Sequence, residues 1–325
     1  MSSTRASGPR VGRIDVHHHL CPPRYADEVN RIKPVFKALL DWSPARSLED
    51  MDRGEVGAAI VSMTTPGLWF GDDGAARRLA RACNEYSARM ASDYPGRFGF
   101  FAALPLPDID GSLREMEYAL DVLKADGVAL FTSYRDKYLG DALFHPLLAE
   151  LDRRRAVAYT HPTVSDCWVN LVPEISEATV EYGTDTTRTI ASLVFSGTAA
   201  RFRGIRFIFS HAGGTMPFLM ARFLQNERNR MRRGLTPMDP EAEVRRFFYD
   251  TAQSCHPAVM AALRQVADQD RILFGTDFPW GRADEHAVGL AGCGLGAAEL
   301  RAIERDNAVR LLSRFHDHAV VMGGE

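Results

Sequence analysis

Histidines and an aspartate end several short apolar runs in this sequence, and their spacing suits a metal ion. His17 and His19 lie two residues apart at the end of one run, and other runs end at His161, His211 and Asp277. Residues two apart on a strand point to the same side, so the first pair can bind one ion. Imidazoles with one carboxylate suit Zn²⁺, Mn²⁺ or Fe²⁺ better than Ca²⁺ or Mg²⁺, which prefer oxygen ligands. We therefore predict one catalytic divalent ion held by His17, His19, His161 and Asp277, with a coordination position left for water or substrate.

Each of these residues also has a purely structural interpretation. A histidine run can be simply polar, His161 can cap a turn before proline, and Asp277 can be an ordinary turn residue. The metal site is favoured because all of the candidate ligands stand where apolar runs end. We interpret Asp15 as a structural hydrogen-bonding residue, and His18 as pointing away from its two neighbours. Histidines that end no run are interpreted as surface or helix-cap residues: His145, His256, His286, His316 and His318.

Eight short apolar runs alternate with segments of helical periodicity. Each run is apolar on both faces, as expected of a buried parallel strand. The runs are Arg13–Val16, Ala58–Met63, Phe98–Leu104, Val128–Thr132, Ala156–Thr160, Ile205–Ser210, Phe247–Thr251 and Ile272–Gly275. The alternation predicts an α/β fold, a (β/α)8 TIM barrel. Such barrels carry their active sites at the carboxyl ends of the strands, which would bring the candidate ligands together.

The segments between the runs predict helices and one domain. The predicted helices are Asp73–Asp93, Ser112–Ala125, Thr186–Phe202, Met216–Arg233, Pro257–Ala267 and Ala297–Phe315. Residues 1–12 are predicted to be a disordered lead-in, and residues 13–325 a single barrel domain. Two connections, 20–57 and 163–185, are too long for simple barrel turns and are candidate lids or subunit arms.

Composition narrows the classes of partner. The chain has 325 residues, 46% of them hydrophobic, and a net charge of −3 without a basic block. Nucleic acid and anionic membrane surfaces are therefore not expected partners. Five scattered cysteines form no C-x-x-C pair, and no apolar run reaches the roughly 18 residues of a membrane span. Without an apolar leader at its start, the sequence predicts a cytoplasmic protein with reduced thiols.

Several stretches of the sequence resemble the amidohydrolase superfamily. The stretches that carry the metal pattern are 14–19 (IDVHHH), 160–162 (THP), 210–214 (SHAGG) and 275–279 (GTDFP). Residues 71–73, 95–107 and 185–188 resemble its decarboxylase branch, typified by aminocarboxymuconate semialdehyde decarboxylase, and within it the 6-methylsalicylate decarboxylase-like proteins. The similarity runs from about residue 13 to about residue 315. It implies a distorted TIM barrel of the metal-dependent hydrolase type.

The resemblance also implies roles for individual residues. Its H-x-H pair, fifth-strand histidine and eighth-strand aspartate bind the metal, which matches the four ligands predicted above. His211, in the S-H-x-G-G motif, would lie beside the metal and handle protons. Several decarboxylases of the branch begin with E-x-H, whereas H-x-H here favours Zn²⁺ first and Mn²⁺ second. Some relatives carry a proton-relay glutamate after the S-H motif, but residues 213–216 read GGTM, so this relay is absent or supplied by another group.

The implied activity is non-oxidative decarboxylation of a small 2-hydroxyaromatic or related unsaturated carboxylic acid. The metal would bind the carboxylate and its neighbouring oxygen, and His211 or Asp277 would protonate the ring carbon before CO₂ leaves. Arg188 is the first candidate to neutralise the carboxylate, with Arg46 second. Candidate aromatic walls of the substrate site are Trp168 and Trp280.

Two other classes of function remain open at this stage. A hydrolase or hydratase acting on a small ester, lactone, amide or unsaturated acid would use the same ligands, with Asp277 accepting a proton from metal-bound water. A non-enzymatic scaffold is disfavoured, because such a protein is expected to lose metal ligands and none is missing here.

Both long connections contain apolar residues that suggest an assembly. Segment 163–185 carries Trp168, Leu171 and Val172, and segment 20–57 carries Phe36 and Trp42. A monomer that exposed both would show more apolar surface than soluble monomers usually do. The sequence therefore predicts a two-fold symmetric homodimer, with a lid over the chain's own barrel as the alternative.

Overall fold

Eight parallel strands form the centre of the fold. The computed structural model describes residues 12–32, 37–163 and 171–315. The strands are β1 (Arg13–His19), β2 (Val56–Ser62), β3 (Phe98–Ala103), β4 (Gly127–Phe131), β5 (Val157–His161), β6 (Arg206–Phe209), β7 (Phe248–Asp250) and β8 (Ile272–Leu273). Each strand pairs with the next along the chain. Every residue of β2, β3 and β5 is buried, which explains their continuous apolar character.

The sheet closes through the segment that follows β8. Val16 N–H donates to the Phe274 carbonyl at 3.0 Å, and Asp277 N–H donates to the His17 carbonyl at 2.8 Å. His19 N–H donates to the Phe278 carbonyl at 2.8 Å. Register shifts within β1 and the shortness of β7 and β8 distort the barrel. The predicted (β/α)8 barrel is confirmed.

Helices surround the strands. They are α1 (Pro23–Ile32), α2 (Lys37–Leu40), α3 (Pro44–Arg53), α4 (Asp73–Asp93), α5 (Ile109–Glu117), α6 (His145–Arg154), α7 (Glu177–Phe195), α8 (Thr198–Arg201), α9 (Met216–Arg232), α10 (Pro240–Arg245), α11 (Pro257–Val266), α12 (Ala283–Ala291), α13 (Ala297–Arg301) and α14 (Asn307–Leu311). A hairpin of two short strands, Ser133–Tyr134 and Lys137–Tyr138, follows β4. No helix among the described residues is long and apolar enough to cross a membrane.

The helix predictions match the structure to different degrees. Helix α4 has its predicted bounds, because the Asp72 side chain caps its first turn by accepting from Ala75 N–H. The predicted start of α7 at residue 186 is wrong, since Ser176 caps a helix that begins at Glu177. The predicted helix 297–315 is also wrong, because it is divided into α13, a π-helical turn, α14 and a 3-10 turn.

The C-terminal helices close the amino end of the barrel. Leu311, Leu312 and Phe315 are buried in one apolar cluster with residues of the strands, among them Val16 and Ile60. This end of the barrel is therefore filled by apolar packing. Polar side chains that reach the barrel interior gather at the opposite end.

Candidate metal centre and active site

Four predicted ligands meet at the carboxyl ends of the strands. The ligand atoms of His17, His19, His161 and Asp277 all lie within 4.8 Å of one another. The two Nε2 atoms of His17 and His19 are 3.0 Å apart. Asp277 Oδ1 lies 3.1 Å from His17 Nε2 and 3.2 Å from His19 Nε2. Strand β1 thus brings two ligand atoms to a common centre, and β5 and the turn after β8 bring one each.

The three imidazoles are held by the same kind of contact. Each has an oxygen beside its Nδ1 atom, and the partners are Asp250 Oδ2 for His17 at 2.9 Å, the Ser62 carbonyl for His19 at 3.3 Å and the Pro162 carbonyl for His161 at 2.7 Å. These oxygens accept hydrogen bonds from the Nδ1–H groups, which leaves each Nε2 atom available to a cation at the centre. Histidines that bind metals are held in this way by an oxygen behind the ring.

The donor set fits a divalent ion. Ligand atoms bound at about 2.1 Å in tetrahedral or octahedral positions lie about 3.0–3.4 Å apart, which agrees with the contacts among His17, His19 and Asp277. Asp277 Oδ1 is also buried, and although the His17 and His19 Nε2 atoms lie 3.1 and 3.2 Å away, it accepts no hydrogen bond of good geometry among the described residues. Leaving a buried carboxylate oxygen unpaired costs free energy, so a cation at this centre would remove that penalty.

Burial and neighbouring charges set the protonation of the cluster. Burial acts to lower the pKa of His17, but the Asp250 and Asp277 carboxylates outweigh it and raise the pKa to about 10. Burial lowers the pKa of His19, and burial with the adjacent imidazoles lowers that of His161 well below its ordinary value. Burial acts to raise the pKa of Asp277, but the neighbouring imidazoles hold it well below its ordinary value. Asp277 is thus ionised and His19 and His161 are neutral, while a cation at His17 Nε2 would replace a proton.

His211 stands beside this centre on a left-handed turn. The backbone φ angles are positive from His211 through Ala212, Gly213 and Gly214, at 55°, 56°, 75° and 66°. A Cβ atom at Gly214 would lie 2.0 Å from the Gly183 carbonyl oxygen, so this position accepts only glycine. The turn places His211 Nε2 3.5 Å from Asp277 Oδ2. His211 Nδ1 is buried without a hydrogen-bond partner among the described residues.

Asp15 and His18 have the structural roles predicted for them. Asp15 accepts hydrogen bonds from the Thr276 hydroxyl at 2.7 Å and the Thr276 N–H at 3.1 Å. The His18 ring stacks on Phe278 at 4.5 Å, on the other side of β1 from the cluster. These contacts hold the turn that carries Asp277, whose own φ is 63°.

Aromatic rings lie around the cluster, and Tyr159 is 5.4 Å from His17 between ring centroids. Trp280, a predicted wall of the substrate site, lies 5.5 Å from His19 between ring centroids. The ring centroids of Tyr182 and Phe131 lie 6.2 and 6.4 Å from that of His161. The sequence analysis missed both, because an aromatic residue in a helix or strand is usually a core residue. The other predicted wall, Trp168, lies outside the described residues.

Arg188 projects from α7 toward the hairpin after β4. Its Nη1 atom lies 3.9 Å from Asp185 Oδ1, and its side chain is 40% exposed. This Nη1 atom is buried and has no hydrogen-bond partner among the described residues. Tyr138 donates to Asp185 at 2.7 Å and lies next to Arg188. The contacts found for Arg188 in the described part of the chain do not join it to the metal ligands, so its substrate role stays a prediction.

Two further groups beside the site have roles that the sequence analysis missed. Asp250 ends β7 fully buried and contacts both His17 and the His211 backbone. His286, interpreted above as a surface or cap residue, is 8% exposed and accepts the Gln253 N–H at 3.1 Å. That interpretation is wrong, because α12 packs its imidazole under the loop after β7. Gln253 in turn donates to Asp277 Oδ2 at 3.4 Å.

Comparison with known proteins agrees with this geometry. Residues 14–314 match the family described as amidohydrolase. The decarboxylase yanB of Aspergillus niger is 35% identical, with 94% of this chain and 88% of that protein covered. The 6-methylsalicylic acid decarboxylase of Penicillium expansum is 36% identical, with 83% and 85% covered. The predicted resemblance to the decarboxylase branch is confirmed.

A solved structure shows the same fold. A dihydroxybenzoic acid decarboxylase from Polaromonas, with bound manganese and the inhibitor 2-nitroresorcinol, has a TM-score of 0.80 to this chain at 22% identity. The likeness covers 92% of this chain and 96% of that one. With a family match over most of its length and relatives more than 30% identical, this chain belongs to the amidohydrolase family.

Proposed function

We propose that this protein is a metal-dependent decarboxylase of a small 2-hydroxyaromatic carboxylic acid. The observation that carries the proposal is the convergence of His17, His19, His161 and Asp277 on one centre, with His211 beside it. Decarboxylases that are 35–36% identical over most of the chain support the same reaction. The rings of Trp280, Phe131 and Tyr182 beside the cluster can contact an aromatic acid.

The cofactor in this proposal is one divalent ion per chain, Zn²⁺ first and Mn²⁺ second. Three imidazole nitrogens and one carboxylate oxygen suit either ion. Bound there, the ion would supply a positive charge for the substrate carboxylate and the neighbouring hydroxyl oxygen. The protein holds the three imidazole Nε2 atoms and Asp277 Oδ1 buried and close together, in position for the ion.

His211 and Asp277 are the proposed catalytic residues. The lowered pKa of Asp277 keeps its carboxylate ionised, so it can accept and orient but is a poor acid. His211 Nε2, 3.5 Å from Asp277 Oδ2, is then the proton donor to the ring carbon that bears the carboxylate. The C–C bond breaks next, its electron pair restores the aromatic ring, and CO₂ leaves. Solvent returns the proton to His211.

Substrate binding is assigned to Arg188 and to the aromatic residues Trp280 and Trp168. Trp280 stands against His19, where it can contact a ring bound over the centre. Arg188 lies on the helix that also carries Tyr182, and its Nη1 atom has no hydrogen-bond partner among the described residues beyond the 3.9 Å ion pair with Asp185. Small rotations of its long side chain would redirect its positive charge to a carboxylate.

Carbon dioxide release tests the function. Zinc-loaded and manganese-loaded protein are each incubated with hydroxybenzoates, and the headspace gas and aromatic product are measured. The relatives make 6-methylsalicylate the first acid to test. Acids with a hydroxyl group ortho to the carboxylate should be turned over, and para isomers should not, because only the ortho group can share the ion. Hydrolysis of an ester, lactone or amide panel, or hydration of an unsaturated acid, without CO₂ release would instead establish the hydrolase or hydratase alternative.

The proposed assembly is a homodimer. The segment that leads into α7 and its first turn exposes four apolar side chains, which supports an apolar contact there. They are 41–62% exposed: Leu171, Val172, Ile175 and Val180. Segment 20–57 gives less support, because Leu39 and Trp42 are buried within their own chain. Light scattering at micromolar concentration should give the mass of a dimer. Leu171→Glu should shift it toward the monomer, while Val288→Glu, at an even more exposed apolar position, should not. A monomeric wild type contradicts the dimer.

The domain organisation and the location also remain proposals. A single domain over residues 13–325 is supported by the family match to residues 14–314 and by the C-terminal helices that close the barrel. A cytoplasmic location is supported by the described cysteines, all of which are free: Cys21, Cys83, Cys255 and Cys293.

A further inference from the structure

Asp250 connects the two halves of the candidate site. It is fully buried at the end of β7. Its Oδ2 atom lies 2.9 Å from His17 Nδ1, and its Oδ1 atom accepts N–H groups from His211 and Ala252, both at 3.0 Å. One carboxylate therefore contacts a proposed metal ligand and the backbone of the proposed proton donor.

We propose that Asp250 is a positioning residue that sets the tautomer of His17 and the position of His211. This inference rests on the proposed function, because it concerns how that site is assembled. All three partners of Asp250 are N–H groups, so a carboxylate with two acceptor oxygens satisfies each of them. Accepting the Nδ1 proton of His17 leaves Nε2 unprotonated toward the centre, and the negative charge makes the ring a stronger ligand.

The Asp250→Asn variant tests whether the two acceptor oxygens of Asp250 matter, or only the volume of its side chain. Its amide oxygen and nitrogen would occupy the same volume as the two carboxylate oxygens, but only the oxygen accepts hydrogen bonds. If the oxygen faces the two backbone N–H groups, the amide nitrogen faces His17, which must then carry its proton on Nε2. If the amide turns over, its nitrogen opposes the N–H groups of His211 and Ala252. Either orientation damages one half of the site.

Zinc affinity is the first measurement. The dissociation constant of Zn²⁺ is determined by competition with a chromophoric chelator for wild type and Asp250→Asn. With the amide nitrogen facing His17, we expect the variant to bind zinc about 10–100-fold more weakly, the range for loss of a group that orients a metal-bound histidine. In the other orientation of the amide, its nitrogen opposes the N–H groups of the His211 turn, and kcat at saturating zinc should then be lower than in wild type.

Asp126→Asn is the matched control. Asp126 is another buried carboxylate that accepts a backbone N–H, from Phe100 at 2.9 Å, but its ion-pair partner is Arg314. We expect this variant to keep the zinc affinity of wild type. Wild-type values of both zinc affinity and kcat in Asp250→Asn, or an equal loss of zinc affinity in Asp126→Asn, would overturn the inference. Failure of wild type to bind zinc or manganese would count against the proposed function as a whole.

Nitrogen-15 spectra of histidine-labelled wild type keep the inference testable if Asp250→Asn does not fold. The signals of His17 are assigned by their loss in His17→Asn. The inference requires a proton on His17 Nδ1 in the zinc-loaded protein, and a proton on Nε2 would overturn it. In a folded Asp250→Asn protein without added metal, a His17 ring that carries a proton on Nε2 and none on Nδ1 is the expected signature.

Discussion

Two buried carboxylates at opposite ends of the barrel, Asp277 and Asp126, differ in how fully they are paired. At the carboxyl end, Asp277 Oδ1 and His211 Nδ1 are buried without hydrogen-bond partners among the described residues. At the amino end, the buried Asp126 carboxylate accepts from Arg314 Nε at 2.8 and 2.9 Å and from the Phe100 N–H at 2.9 Å. A fully paired group stabilises a fold, whereas an unpaired one costs free energy and persists where function needs it.

This difference predicts that substitutions at the two ends have different consequences. Changes at the carboxyl end should reduce metal binding or turnover and leave the stability of the fold nearly unchanged. Changes at the amino end should reduce stability and leave turnover unchanged. The same division of labour is general for TIM barrels, in which catalytic residues gather at the carboxyl ends of the strands.

The largest expected effect follows from removing two ligands at once. His17→Ala combined with His19→Ala should abolish both zinc binding and CO₂ release, since the two ligands left cannot hold the ion. Elemental analysis after dialysis should give about one ion per wild-type chain and none per variant chain. The thermal midpoint is compared between the metal-free forms of both proteins, because bound metal itself stabilises the folded state. Substantial turnover by the variant would refute the proposed centre.

Next in size is the effect of replacing the proposed proton donor. His211→Asn should keep the metal but lower kcat by about 10²-fold or more, the range for a general acid. The control is His256→Asn, because His256 only caps α11 by accepting from Ala258 N–H, and asparagine is a good capping residue. Loss of the metal from His211→Asn would show that His211 is a ligand and that the site is differently built.

At the amino end, Arg314→Met should act on stability alone. Leaving Asp126 buried without its cation should lower the free energy of unfolding by about 2–3 kcal/mol, less than for a fully buried pair because the Arg314 side chain is 29% exposed. Urea denaturation measures this loss. Arg153→Met, which breaks an exposed pair with Glu150, is the control and should cost less than about 1 kcal/mol. A fall in kcat for Arg314→Met would contradict the separation of the two ends.

The smallest of these effects is expected for Arg188. If its guanidinium pairs with the substrate carboxylate, Arg188→Met should raise KM about 30-fold, equivalent to about 2 kcal/mol at the lower end of the range for truncated charge pairs. Steady-state kinetics on the best substrate of the panel measures it. Arg201→Met, at an exposed position on α8, is the control. Unchanged kinetics would exclude Arg188, and Arg46 would be tested next.

Sequence patterns were reliable for the elements that carry the site. All eight predicted strands are present, because strands buried on both faces have an apolar run that little else explains. The ligands at the ends of those runs also meet as predicted. Helix ends were less predictable, since α7 begins nine residues before its predicted start and the segment from residue 297 is broken by a π-helical turn.

Residues whose importance depends on a distant neighbour could not be found in this way. His286 has no unusual local pattern, and its role follows only from α12 packing beneath Gln253. Asp250 was visible as the end of a strand, but its partner His17 is 233 residues away along the chain. Tyr182 and Phe131 resemble ordinary core aromatics until both are placed beside His161.

By itself, the sequence determined the barrel, the face that bears the site and the identity of the candidate metal ligands. Strand burial, the two-residue spacing of His17 and His19 and the side-chain chemistry of each ligand are local properties, so they can be read along the chain. Only the tertiary structure decided which atoms face the centre and which oxygen orients each ring. Those features arise from contacts between strands far apart in sequence, because closing the barrel brings together side chains that no local spacing relates.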